Sequence, residues 1–202
     1  TYAAKESKSS DLKFLENDEL EKLIQSVKES DATTSHMILI AIYSGARYAE
    51  IAGLTKDDFD FENNTININK SWQANDQEFK ATKTKTSNRV IDMPHDIMLL
   101  AKGWTFGERY AFESTTGLPP TNNAVNKQLR RYLEKNDSKI ITFHGLRHTH
   151  ASYLLSKDIA IQYVSERLGH ADVNITLSVY THLLDKKRSI ETQKALDELQ
   201  KL

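Results

Sequence analysis

The segment 142–150 contains side chains that could bind a phosphate group and move a proton. His144 and Arg147 lie three positions apart there, so both would share one face of a helix. Arginine donates paired hydrogen bonds to phosphate oxygens, and histidine exchanges protons near neutral pH. His144 and His148 also have the spacing of helical zinc ligands, but Gly145 stands where a zinc-protease helix carries glutamate. Arg147 would repel a cation, so we predict an anion site.

A second arginine lies in the segment 44–50. Arg47 follows Gly45, which would end an apolar helix, so its side chain could point into a cleft. Glu50 lies three residues later and could orient Arg47 through an ion pair. An ordinary ion pair on the surface is the alternative interpretation of these two residues.

The segment 82–89 alternates threonine and lysine and is predicted to form the turn of a β-hairpin. Lys83 or Lys85 could deliver an ammonium group to a phosphate or to a leaving group. Lysine-rich hairpins also keep sheet edges soluble, and this is the alternative role of such a turn.

Two further residues complete a set that is suited to phosphoryl transfer. His170 follows Leu168 and Gly169, and Tyr180 lies ten residues beyond His170. Taken alone, such a histidine is typical of a helix cap or a core, and such a tyrosine of half-buried packing. Together with two arginines, a lysine and another histidine, they suggest a reaction in which a phenolic oxygen attacks phosphorus.

Helical and strand patterns predict the elements that would position these side chains. An amphipathic helix is expected with Asn17 as its cap, and a largely apolar helix from about 34 to 44. Period-two alternation predicts strands at 65–69 and 89–93. Further helices are predicted at about 47–54, 96–102, 121–135, 145–156, 160–168 and 186–201. Tyr180 would then lie just before the last helix, in a mainly helical α+β fold with one small antiparallel sheet.

The composition excludes several classes of protein. The chain has no cysteine among its 202 residues, so it has no disulfide framework and no cysteine-based zinc site or nucleophile. Its longest strongly apolar run, 37–43, is too short to span a membrane. Lysine and arginine number 27 against 28 acidic residues, so nucleic-acid binding would depend on a polarised surface rather than on net charge.

The candidate segments occur in the order found in one enzyme family. From about 13 to 184, the chain resembles the catalytic domain of a tyrosine recombinase of the phage-integrase family. It is similar to integrases of Gram-positive phages and mobile elements. The family's sequence boxes match as Arg-x-x-Glu at Arg47 and Glu50, a hairpin lysine within 83–89, His-x-x-Arg at His144 and Arg147, Leu-Gly-His ending at His170, and the nucleophile at Tyr180. The resemblance implies a three-stranded sheet within the helical fold.

The resemblance also implies the reaction. Tyr180 would attack a DNA phosphate, giving a 3′-phosphotyrosine and a free 5′-hydroxyl, with no metal, no other cofactor and no ATP. The hairpin lysine would protonate the leaving 5′-oxygen. Lys85 is preferred for this role because it lies four residues before Arg89, which would start the return strand. Lys83 is the alternative and would otherwise contact the DNA backbone.

The remaining residues of the boxes would bind the phosphate and the tyrosine proton. By the same resemblance, Arg47 and Arg147 would hold the non-bridging oxygens of the phosphate, and Glu50 would brace Arg47. His144 would accept the tyrosine proton or donate a hydrogen bond to the phosphate. His170 would donate a hydrogen bond to a phosphate oxygen.

Contacts with DNA and with other subunits are implied as well. The expected substrate is double-stranded DNA at attachment sites, bound by a homotetramer in the cytoplasm of a bacterial host, whereas the isolated fragment is expected to be a monomer. Accessory directionality or DNA-bending proteins are further expected partners. The C-terminal helix, with Ile190, Leu196 and Leu199 on one face, would contact a neighbouring protomer or pack on its own domain. The residues expected to contact the DNA backbone are Lys83, Arg89, Lys127, Arg130 and Arg131.

The family resemblance also implies a domain organisation. Residues 13–202 would form the catalytic domain and 1–12 a linker or a fragment edge, while a core-binding domain is expected outside this chain. Three alternatives remain: a type IB topoisomerase, which relaxes DNA with similar residues, a DNA-binding regulator without activity, and a metallohydrolase at His144 and His148.

Overall fold

The computed structural model, which describes residues 13–81 and 87–201, combines helices with two small antiparallel sheets. The helices are α1 Asn17–Lys28, α2 Thr33–Ser44, α3 Tyr48–Ala52, α4 His95–Lys102, α5 Asn122–Lys135, α6 Phe143–Ser156, α7 Ile161–Leu168 and α8 Val173–Leu199. The strands are β1 Phe59–Asp60, β2 Thr65–Ile68, β3 Lys70–Gln73, β4 Glu78–Ala81 and β5 Arg89–Asp92. This arrangement confirms the predicted α+β class.

Helix α2 forms the centre of the core because its sequence is apolar on most sides. All residues from Met37 to Ile42 are buried, and the helix packs against α1, α5 and α6. Burial of each large aliphatic side chain contributes about 1.5–3 kcal/mol. Gly45 ends the helix at φ 65°, as predicted, and a Cβ atom there would lie 2.7 Å from the ring of His150. The end of α2 therefore lies close against α6.

The strands pair in a different way from the predicted hairpin. β1, β2 and β5 form a three-stranded antiparallel sheet in which Ile66 is paired with Ile91, whereas β3 and β4 pair with each other. The segment 83–89 therefore follows β4 of one sheet and leads into β5 of the other. The prediction that it joins two strands paired with each other was wrong, because β4 pairs with β3 and β5 pairs with β2. Alternation identifies the buried face of a strand but not its partner. Residues 82–86 of this connection lie outside the described part.

The first helix begins where predicted but has a different cap. Asn17 is its first residue, and Glu16 is the cap. The Glu16 N–H donates to the Glu19 carboxylate at 2.9 Å, as in a capping box. The prediction of Asn17 as the cap was wrong, because Glu16 has the extended backbone of a cap and Asn17 is already helical.

The last helix is longer than predicted and contains Tyr180. α8 has 27 residues and begins after Asp172, whose carboxylate accepts the Asn174 N–H at 2.9 Å. The prediction that Tyr180 precedes the last helix was wrong, because no glycine or proline interrupts the sequence between 173 and 186. In the described part of the chain, no helix, α8 included, combines the length and apolarity needed to cross a membrane.

Candidate active site

Arg147 lies at the centre of the candidate site, on the buried side of α6. Thr142 caps this helix by accepting the Gly145 N–H at 3.3 Å. Arg147 Nη1 donates to the carbonyl oxygen of Gly45 at 2.9 Å, whereas Nη2 is buried without an acceptor among the described residues. Burial and the charge of Arg47 lower the pKa of Arg147 to about 9. An anion beside Nη2 would stabilise this buried positive charge.

Glu50 connects two arginines beside Arg147. Its buried carboxylate accepts hydrogen bonds from the Arg47 backbone N–H and from Arg47 Nη1, both at 2.8 Å, and from Arg89 Nη2 at 2.9 Å. Burial alone would raise the pKa of Glu50, but the hydrogen bonds and charges of the two arginines lower it below its ordinary value. Glu50 therefore lies where the predicted bracing of Arg47 requires it.

Arg89 lies in the interior, and this corrects the exposed position assumed for a contact with the DNA backbone. Its side chain is 8% exposed. Arg89 Nε donates to the carbonyl oxygen of Arg167 at 2.8 Å, and Nη1 donates to that of Ser87 at 3.0 Å. Arg89 thus joins the start of β5 to Glu50 and to the end of α7. The sequence did not indicate this role, because Arg89 and Glu50 are 39 residues apart.

The backbone after α7 directs His170 towards Thr176. Gly169 ends α7 at φ 70°, a conformation that favours glycine. His170 Nδ1 lies 2.7 Å from Oγ1 of the buried Thr176. Burial and the charge of Arg147 lower the pKa of His170 to about 4, so its ring is neutral near neutral pH. When the Thr176 hydroxyl donates to Nδ1, Nε2 carries the proton and can donate to an anion.

Tyr180 is buried, and its hydroxyl contacts a histidine. The residue is 2% exposed. Its Oη atom lies 2.9 Å from Nδ1 of His148. Burial raises the pKa of Tyr180, and burial followed by the charge of His144 lowers the pKa of His148 to about 4. Both side chains are therefore neutral near neutral pH. The buried residues that cluster with Tyr180 are Ala151, Leu155, Val164 and Leu168.

Electrostatic interactions indicate which of the predicted residues the fold brings together. The charge of Arg147 lowers the pKa values of His144 and His170 and acts on that of Tyr180. Arg47 acts on Arg147 and on the same two histidines. A cleft of about 420 Å³ is lined in part by Arg47, His144 and Arg147. The five predicted residues therefore lie around one positively charged centre.

The remaining predicted residues, other than Glu50 and Arg89, are exposed on α5 or lie outside the described part of the chain. Lys83 and Lys85 fall in the latter group. The predicted residues Lys127, Arg130 and Arg131 are exposed on α5, as is Lys135. Arg130 Nε donates to the Glu134 carboxylate at 2.7 Å. Among the side chains that the structure describes, which exclude those of 182–191, no group of three or more histidine, aspartate or glutamate side chains is arranged to hold a metal ion.

His148 lies at the Tyr180 hydroxyl, although no catalytic role was predicted for it from the sequence. The signal was present, because His148 lies one helical turn after His144 and directly after Arg147. The rings of His144 and His148 contact edge to face, with centroids 4.8 Å apart. Helical spacing alone does not indicate which of the two histidines meets a tyrosine on another helix.

Comparison with known proteins gives the same family as the sequence boxes. The profile of the Phage integrase family matches residues 13–187. The integrase of Staphylococcus phage L54a is 32% identical over 162 residues, covering 71% of this chain and 46% of that protein. The ICEBs1 integrase of Bacillus subtilis (strain 168) is 25% identical over 203 residues, covering 93% of this chain and 55% of that protein. The chain thus spans about half the length of these relatives.

A solved structure shows that the fold is shared. The Tn1549 transposon integrase, in complex with transposon right end DNA, matches with a TM-score of 0.76 at 20% identity, over 94% of this chain and 68% of that chain. The predicted recombinase-type fold is therefore confirmed. Because the family profile spans residues 13–187, most of the sequence, the chain belongs to the phage integrase family.

Proposed function

We propose that the chain is the catalytic part of a site-specific DNA recombinase, which cuts and rejoins DNA through a 3′-phosphotyrosine. The observation that carries this proposal is the grouping of Arg47 and Arg147 with Tyr180, with Arg147 Nη2 buried and unpaired among the described residues. The Tn1549 integrase, which shares the fold, is solved with transposon right end DNA, and this supports DNA as the substrate.

Arg47 and Arg147 would hold the scissile phosphate. Arg147 is oriented by the Gly45 carbonyl group and Arg47 by Glu50, so neither guanidinium needs to reorganise during the reaction. Negative charge on the non-bridging oxygens would be offset by the two arginines as the pentacoordinate state forms. In many nucleases metal ions provide this charge, so we propose a reaction that uses no metal.

The other polar groups would complete the phosphate site. His170, held at Nδ1 by Thr176, would donate from Nε2 to a phosphate oxygen. His144 is exposed beside Arg147 and would bind the phosphate as well. Lys85, or Lys83 in the alternative register, would protonate the leaving 5′-oxygen. The phosphotyrosine retains the energy of the phosphodiester bond, so rejoining would need no ATP.

Duplex DNA would also contact the exposed face of α5. Lys127, Arg130 and Arg131 lie together on this helix. The DNA would be an attachment site of a mobile element in the cytoplasm of a bacterial host, with DNA-bending or directionality proteins as further partners. This basic surface would position the duplex, whereas the arginine centre would act on one phosphate.

The end of α8 would join subunits into a homotetramer on paired DNA sites. Leu196 and Leu199 are 50% and 62% exposed, and the side chain of Ile190 lies outside the described part. An apolar groove of about 570 Å³, lined by residues of α1, α6 and α7, lies on the same domain. We propose that this groove accepts the leucines of a second copy, because one surface would then cover the apolar area of the other.

The test is covalent capture by the full-length gene product. A pool of nicked duplexes with random sequence around the nick would be incubated with the protein, and covalent complexes would be selected on denaturing gels. Tyr180→Phe should bind DNA but form no covalent complex, and mass spectrometry should find the adduct on Tyr180. An adduct on Tyr153 or Tyr163 would contradict the assignment. Plasmid relaxation without exchange between two selected sites would indicate a topoisomerase instead.

A further inference from the structure

The hydroxyl group of Tyr180 has one hydrogen-bond partner among the described residues, which is His148. Its Oη atom lies 2.9 Å from His148 Nδ1. A buried hydroxyl proton needs an acceptor, and among the side chains that the structure describes, which exclude those of 182–191, no second acceptor contacts Oη. The Tyr180 O–H therefore donates to Nδ1, and the proton of the neutral imidazole lies on Nε2. This is the tautomer that a proton acceptor for tyrosine requires.

We propose that His148 is a catalytic residue that holds the Tyr180 hydroxyl and accepts its proton during attack on the phosphate. The inference rests on the proposed recombinase function and assigns to His148 a role that the family resemblance implied for His144 as one of two options. His144 then retains the other option, which is binding of the phosphate.

The geometry distinguishes the two histidines. His144 and His148 lie one turn apart on α6, and their rings meet edge to face at 4.8 Å. His148 is the one that extends towards α8 and meets Oη, with ring centroids of His148 and Tyr180 6.0 Å apart. His144 is exposed and helps line the cleft beside Arg47 and Arg147. One histidine thus faces the nucleophile and the other faces the proposed phosphate position.

The bonds and protons of the step balance with these groups. The Oη–H bond of Tyr180 breaks as its proton moves to His148 Nδ1, and a bond forms between Oη and phosphorus. The bond between phosphorus and the 5′-oxygen breaks, and this oxygen takes a proton from the lysine of the segment 82–86. In the rejoining step the 5′-oxygen forms a bond to phosphorus as its proton returns to the lysine. The bond between phosphorus and Oη breaks, and His148 returns its proton to Oη.

The charges around His148 couple this proton transfer to the presence of the phosphate. Burial and the neighbouring His144 and Arg147 disfavour an imidazolium ion at His148. Burial likewise disfavours a phenolate at Tyr180. A phosphate anion at Arg47 and Arg147 would offset the positive charge near His148 and make it a stronger base. Deprotonation of Tyr180 would then occur with the phosphate bound.

The experiment varies the acidity of the Tyr180 phenol in proteins with and without His148 and compares the reaction rates. Single-turnover formation of the covalent complex is measured with the selected nicked duplex. His148→Ala should slow it about 10²–10⁴-fold, the usual effect of losing a general base. With fluorotyrosine incorporated at position 180, the phenol is more acidic and needs less help from a base. The His148→Ala defect should then shrink by about tenfold or more.

Three controls separate proton transfer from packing. His148→Asn keeps a hydrogen-bond acceptor near the Nδ1 position but is not basic, so it should remain slow and be rescued by fluorotyrosine. His144→Ala should be slow, and its defect should be unchanged by fluorotyrosine. Tyrosine and fluorotyrosine at position 180 are compared within the same histidine variant, so an effect of that variant on stability cancels. Circular dichroism and DNA binding verify that each variant is folded.

The outcomes separate this inference from the proposed function. Wild-type rates for His148→Ala, full activity of His148→Asn, or a defect that fluorotyrosine leaves unchanged would overturn the role of His148 while the recombinase function stands. Rescue of His144→Ala but not of His148→Ala would assign the proton to His144. Absence of any covalent complex with the unaltered protein would overturn the proposed function itself, and the inference with it.

Discussion

The guanidinium group of Arg147 donates from Nη1 to the carbonyl oxygen of Gly45 at 2.9 Å, joining residues 102 positions apart. The glycine ends α2 in a left-handed conformation, and its carbonyl group is thereby available to α6. One side of the guanidinium is fixed by the protein, and the other side, at Nη2, is left for a ligand. The proposed phosphate-binding position therefore lies between the end of one helix and the interior of another.

Arg147→Lys should slow covalent complex formation by about 10²–10³, or about 2.7–4 kcal/mol in the barrier. An ammonium group cannot bind the Gly45 carbonyl oxygen and present a planar pair of donors to a phosphate at the same time. Arg47→Lys should behave similarly. Arg109→Lys serves as the control, because Arg109 has no proposed role in the reaction and lies over the Phe79 ring. Single-turnover rates with and without EDTA test this. Full activity of Arg147→Lys, or inactivation by EDTA, would contradict the proposed clamp.

Lys85→Ala should be slow on ordinary DNA but nearly normal on a substrate with sulfur at the 5′-bridging position. A thiolate leaves without a proton, so the general acid is no longer needed. Lys83→Ala is the matched variant, because the two lysines are two residues apart. It should weaken DNA binding and show no such rescue. Rescue of Lys83→Ala alone would move the general acid to Lys83.

Glu50→Gln should destabilise the fold by about 3–5 kcal/mol near neutral pH, because the buried Arg89 loses its ionic partner. The folded state lowers the pKa of Glu50, so its ionised form contributes stability above the ordinary carboxyl pKa. That stability is lost as pH falls through the lowered pKa. The difference between wild type and variant in urea unfolding should therefore shrink on acidification.

Glu134→Gln is the control for this measurement, because Glu134 forms an exposed ion pair with Arg130. Its effect on the free energy of unfolding should stay below about 1 kcal/mol. A difference for Glu50→Gln that remains constant down to acidic pH would mean that charge at Glu50 does not stabilise the fold.

The double variant Leu196→Ser and Leu199→Ser should impair assembly on paired DNA sites without lowering stability. Both side chains are exposed in the isolated chain, so unfolding should change by no more than about 0.5 kcal/mol. Gln200→Ser, at another exposed position of the same region, is the control. Analytical ultracentrifugation with DNA measures assembly, and thermal unfolding measures stability. Unchanged assembly, or a marked loss of stability, would show that this part of α8 does not join subunits.

Lys127→Ala and Arg131→Ala should each weaken DNA binding to a similar extent for all sequences. Each contact with a phosphate releases counterions, so each variant should reduce the slope of log affinity against log salt by about 1. Lys22→Ala, on the exposed side of α1, is the control for a change of net charge. A slope equal to that of the unaltered protein would remove the α5 surface from the proposed DNA interface.

Much of this protein was predictable from its sequence because local rules apply to it. The apolar run of α2 indicated a core helix, and Gly45 indicated its end, because periodicity and capping signals depend mainly on neighbouring residues. His144 and Arg147 lie about one helical turn apart, so the sequence alone predicted that they share one face of a helix. The order of the boxes around Arg47 and Tyr180 indicated the family, which the profile match confirms.

Tertiary structure decided the contacts between elements that are distant in the chain. Tyr180 meets His148 across 32 residues, and Arg89 meets Glu50 across 39. Periodicity indicates which face of a helix or strand is buried, but the partner on that face depends on how whole elements pack. For the same reason, the strand partners and the burial of Arg89 were not predicted correctly. Local geometry is encoded by neighbours in sequence, whereas the pairing of charges and hydroxyl groups depends on the packing of the complete fold.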